Sequence, residues 1–69
     1  MAEYFSWSPI RRLMKNVGAT IVARDAVDEL IDWLGVTSKA ITTTALKLTK
    51  HSKRKKITKE DILLAIKYF

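Results

Sequence analysis

Five basic or potentially basic side chains, His51, Lys53, Arg54, Lys55 and Lys56, crowd into six positions at the start of the stretch HSKRKKITKEDI. The chemistry open to such a cluster is capture of a polyanion, because Lys and Arg neutralise phosphates whatever base they carry. The asymmetry extends beyond the cluster. Between Asp32 and Glu60 there is no acid, while Lys39, Lys47, Lys50, Lys53, Arg54, Lys55, Lys56 and Lys59 all fall there, within a chain of net charge +6. A solvated basic face is the plain alternative to a nucleic-acid site. A hydrophobic content of 48% separates the chain from a disordered basic tail, which lacks the apolar residues to fold.

Other chemistry finds little support. There is no Cys and only one His, so neither a disulfide nor a zinc set can be assembled. His51 has no recognisable acid–base partner and reads as a packing or hydrogen-bonding residue rather than a catalyst. Asp28, Glu29 and Asp32 fall within two helical turns with no ligand-loop pattern, which makes them a solvated acidic face rather than a cation site. Tyr4, Phe5 and Trp7 can stack on unpaired bases, or belong to an N-terminal arm, residues 1–8, that covers its own chain or a neighbouring copy. No catalytic activity, cofactor or small-molecule substrate is expected.

Three helices must position these groups. In SPIRRLMKNVG, Ser8 suits a cap, Pro9 the first helical position and Gly18 the left-handed residue past the end, with Ile10, Leu13, Met14 and Val17 on one face. From Ala23 to about Lys50, Val27, Leu30, Ile31, Leu34, Ile41, Ala45 and Leu48 keep helical spacing. The stretch LGVTSKAITTT lowers helix propensity, but positions 34, 38, 41, 45 and 48 continue without a phase reset, so one long helix is expected. Trp33 lies beside that stripe. The third helix opens at Thr58, with Asp61 completing an acidic capping box and Ile62, Ala65, Ile66 and Phe69 on its apolar side. ATIV and KKIT are short extended connectors.

A chain of 69 residues buries too little surface to be comfortably stable alone, and two short helices cannot cover an apolar stripe about 40 Å long. A second copy of the long helix can. MAEYFSW does not resemble a secretion signal and no apolar run reaches membrane-spanning length, so a soluble intracellular protein without membrane partners is expected.

The order short helix, loop, long helix, loop, short helix is that of the histone fold, and SPIRRLMKNVGA resembles the opening of the archaeal-type histones through Pro9, Ile10, Arg12, Lys15, Gly18 and Ala19. LKLTKHSKRKKITKEDILLAIKYF resembles their close through Leu48, His51, Arg54, Lys55, Ile57, Glu60, Asp61, Ile62, Ala65 and Phe69. The match covers residues 9–69 without a gap, so the domain expected is 9–69; its specificity lies in the combined register. The resemblance implies an all-α histone fold in an obligate head-to-tail homodimer, with Leu30, Leu34, Ile41 and Ala45 in the dimer core and Trp33 packing near the seam. Thr20–Val22 would lie beside the partner's second loop. Double-stranded DNA is the implied partner, gripped by Arg12, Lys15, Lys53, Arg54, Lys55 and Lys56, with Arg54 braced by Asp61. Leu48, His51 and Leu64 stand where dimers of wrapping members join into tetramers or longer assemblies. Two departures stand out: Ile21 replaces a minor-groove arginine, and Lys56 replaces the threonine that holds it. Arg24 is the nearest other side chain able to enter the groove.

The implied function is a nucleoid-associated cytoplasmic protein that compacts chromosomal DNA by largely sequence-independent phosphate contacts. A heterodimeric histone-fold module with little DNA binding is the alternative, disfavoured by the basic excess. A helix-turn-helix repressor is disfavoured by the apolar LLAIKYF of the last helix.

Overall fold

The computed structural model describes residues 4–69, and among them are three helices and no strand. The chain packs as two compact halves, one ending at Val36 and the other running from Thr37 to Phe69. Helix α1 spans Trp7–Asn16, α2 Arg24–His51 and α3 Lys59–Lys67. The short, long, short layout of the histone fold is therefore present, and α2 is one uninterrupted helix of 28 residues.

In the first half, α1 begins two residues earlier than Ser8 and Pro9 suggest. Ser6 occupies the cap position in extended conformation without a side-chain cap bond, and Pro9 falls inside the first turn. Pro is tolerated there because the first N–H groups of a helix have no intrahelical acceptor, so its missing donor costs no bond. Of the expected apolar face, Ile10 and Met14 are half-buried while Leu13 and Val17 are exposed. Gly18 ends the helix at φ 112°, a conformation that costs glycine little. Its N–H donates to the Lys15 carbonyl at 3.0 Å and that of Ala19 to Met14 at 3.4 Å, the paired bonds of a Schellman stop. Val27 and Ile31, one turn apart on α2, are fully buried, each burial contributing about 1.5–3 kcal/mol.

In the second half, α2 continues unbroken through its threonine run, where the Thr43 hydroxyl donates to the Lys39 carbonyl at 2.8 Å. Back-bonding of this kind satisfies a hydroxyl that otherwise competes with the helix. Ala45, Thr49, Asp61 and Ala65 are buried. Ala65 fulfils its place on the apolar side of α3 and Ile62 is half-buried, whereas Ile66 and Phe69 are exposed. Along α2, Leu30, Leu34, Ile41, Thr44 and Leu48 share a helical phase and are only half-buried by their own chain. Ala45 is already fully buried within the single chain, and Trp33 is 57% exposed. No helix of the described residues is long and apolar enough to cross a membrane.

Candidate nucleic-acid interface

The second loop is built by two local devices, one stopping α2 and one starting α3. After His51 the chain makes a second Schellman stop: the Lys53 N–H donates to the Lys50 carbonyl at 2.9 Å and the Arg54 N–H to Thr49 at 3.1 Å. The left-handed position of this motif is normally glycine, yet here it is Lys53, at φ 60°. A side chain in that conformation costs roughly 1–2 kcal/mol. A strained backbone carrying a cation is the kind of expense retained where the side chain is needed.

At the other end of the loop, Thr58 and Asp61 form a reciprocal capping box. The Thr58 N–H donates to Asp61 Oδ2 at 3.0 Å, and the Asp61 N–H donates to Thr58 Oγ1 at 3.4 Å. Two orphan donors of the α3 start are thereby satisfied.

Arg54 joins the two devices. Its guanidinium meets Asp61 in a fork, Nη2 to Oδ1 at 2.8 Å and Nη1 to Oδ2 at 3.0 Å, and Nη1 also reaches the Lys56 carbonyl at 3.2 Å. The Thr49 hydroxyl lies 2.8 Å from Asp61 Oδ2 and 2.9 Å from the Ala45 carbonyl, so its single proton is shared between them. Arg54, then the Thr58 backbone, hold the Asp61 carboxyl well below the usual carboxylate range, against a smaller upward push from desolvation. The same hydrogen bond raises the Arg54 value. At neutral pH the pair is therefore fully ionised.

The electrostatic result follows from what this network consumes. Arg54 is 40% exposed and Asp61 8%, so the carboxylate is spent internally. Lys53, Lys55 and Lys56 remain exposed on a loop whose path is held from both ends. The half from Thr37 to Phe69 carries nine Lys or Arg against two acids, and pairing Asp61 with Arg54 still leaves eight cations against one acid, which makes its surface strongly attractive to anions.

The first half presents Arg12 and Lys15 exposed on α1, and Ile21 is 90% exposed. His51 and Leu64 are exposed and Leu48 half-buried. Two features had not been anticipated from the sequence. Thr49 carries no distinguishing signal in the sequence, although its spacing of four from Ala45 places it in the buried phase of α2. Trp7 carries two arginines, Arg11 at 5.5 Å and Arg24 at 5.2 Å from the ring centroid. The i, i+4 spacing of Trp7 and Arg11 was a readable signal for the first; nothing local pointed to the second. Among the described residues no group of three or more His, Cys, Asp or Glu is placed to hold a metal ion.

Comparison with known proteins agrees with this layout. Residues 4–66 match the model of the family described as histone-like transcription factor (CBF/NF-Y) and archaeal histone. The chain is also 33% identical over 60 residues, 87% of its length and 90% of the relative's, to one of the subunits of archaeal histone HAN1 from Thermococcus zilligii. With three helices in the short, long, short order and a family match across nearly its whole length, the chain belongs to the histone-fold family of histone-like transcription factors and archaeal histones.

Proposed function

We propose that the protein is an architectural DNA-binding protein that works as a dimer and compacts duplex DNA through phosphate contacts. The observation that carries this is the braced second loop. Arg54 and Asp61 are used up in holding it, and the cations beside them are presented on a backbone with little freedom to lose on binding. Loops that are ordered before contact bind phosphates without an ordering cost, and lysines on phosphate carry no base information. Sequence preference then comes from how easily the duplex bends.

Dimerisation is supported by the half-buried phase of α2 formed by Leu30, Leu34, Ile41 and Leu48, apolar surface that a second copy of the helix can cover. Leu48, His51 and Leu64 are candidate contacts between dimers. A second possibility is pairing with a different histone-fold chain, favoured by the relative's being named as one subunit of its histone. Light scattering of the purified protein, alone and on a short duplex, tests both. Twice the chain mass together with salt-dependent DNA binding is the expected outcome. A folded monomer, or a dimer indifferent to DNA, would refute the proposal.

A further inference from the structure

Trp7, half-buried at the start of α1, lies under two guanidinium groups: Arg11, one turn along the same helix, and Arg24, the first residue of α2. Its indole Nε1 is buried and has no hydrogen-bond partner, a loss of about 1–3 kcal/mol that the site tolerates. Arg24 also stands where the helix dipole disfavours a cation, by about 0.3–1 kcal/mol. Two costs are thus accepted to keep two cations on one ring.

An indole face attracts guanidinium through its quadrupole while leaving the N–H edges open. A stacked arginine has already lost much of its rotamer freedom, and its planar fork matches two phosphate oxygens. We infer that Trp7, Arg11 and Arg24 form a second phosphate clamp, in which Trp7 is the positioning residue and the two arginines contact the DNA backbone. This rests on the DNA-binding function proposed above. It makes Arg24 a backbone ligand rather than a groove reader, and it gives the first half of the chain a grip that does not depend on Ile21.

The test is DNA affinity as a function of salt for Trp7→Leu, Trp7→Phe and Arg24→Gln, with Lys55→Ala as the reference and circular dichroism on each. Arg24→Gln lowers affinity and makes the log–log salt slope shallower by about 1–2 for the two copies in a dimer. Trp7→Leu changes no charge yet lowers affinity about fivefold, and adding it to Arg24→Gln costs less than the two separate losses combined. Trp7→Phe keeps a ring face, removes the orphan donor and binds like the parent. If Trp7→Leu binds as the parent does, or Arg24→Gln leaves the slope unchanged while Lys55→Ala weakens binding, the clamp is overturned and the DNA-binding function stands. If the parent itself shows no salt-dependent binding, that function fails first. Should Trp7→Leu not fold, the slope of Arg24→Gln, a change at an exposed residue, decides alone.

Discussion

Arg54, just past the end of α2, and Asp61, in the first turn of α3, meet through two near-parallel hydrogen bonds of 2.8 and 3.0 Å across seven residues of chain. One carboxylate thereby holds the stop of one helix to the start of the next, since Thr49 and Thr58 also donate to it. The loop between is held by an acid whose side chain is itself only 8% exposed.

Bracing and gripping therefore separate on mutation. Lys55→Ala weakens DNA binding and leaves the melting temperature within about a degree or two, because exposed charges contribute little to folding. Asp61→Ala lowers both the melting temperature and the affinity, although it removes a negative charge from a protein proposed to bind an anion. Thermal melts and binding isotherms on the two variants check this; an Asp61→Ala protein that melts and binds like the parent would contradict it.

The depressed Asp61 value also sets a pH window. A carboxyl whose folded value lies below its unfolded value of about 3.9 contributes stability that is complete above about pH 5, and that contribution is lost as pH falls through the folded value. The parent should lose melting temperature on acidification below about pH 4 more steeply than Asp61→Asn, so the two curves converge in acid. Parallel curves down to about pH 2 would mean that the fork does not survive in solution.

Lys53 predicts opposite movements of stability and binding. Lys53→Gly relieves the left-handed strain and raises stability by about 1 kcal/mol, an increase of about 4–8 °C in melting temperature for a domain of this size. DNA affinity falls, because two cations leave each dimer. A variant that melts lower than the parent would show that φ 60° is not strained here.

Replacing Leu34 or Ile41 with Lys puts a charge on the half-buried phase of α2. If a second copy covers that phase, the variants unfold rather than yield folded monomers, since a buried unpaired charge is not tolerated and folding is linked to assembly. Circular dichroism with cooperative thermal melting gives the answer.

Two copies of Arg12, Lys15, Lys53, Lys55 and Lys56 make ten cations per proposed dimer, and with about half on phosphates these ten contribute about −4 to −5 to the log–log salt slope, any contact by Arg11 and Arg24 steepening it further. If position 21 is where the family resemblance puts a groove arginine, Ile21 leaves the groove unread, and random and A-tract duplexes should compete within about threefold of each other. Ile21→Arg with Lys56→Thr should raise the A-tract preference. A strong preference in the parent would place another side chain in the groove.

Where helices run was legible from sequence because the signals are local. The unbroken phase through positions 34, 38, 41, 45 and 48 marks α2 as one helix despite Gly35 and its threonines, Gly18 marks the end of α1, and Thr58 with Asp61 marks the start of α3. Basic residues on the second loop were equally visible, since charge needs no partner to be counted. The start of α1 at Trp7 was not, because Ser6 and Ser8 offer the same side chain and so the same capping signal. Tertiary structure alone put the Thr49 hydroxyl on Asp61, Arg24 over Trp7 and Lys53 in a glycine conformation. Helical periodicity gives the direction in which a side chain leaves its own helix, but distance to a group on another helix depends on how the turn between them bends. Around the second loop that bend is held by the fork between Arg54 and Asp61, whose partners lie seven residues apart and on different elements.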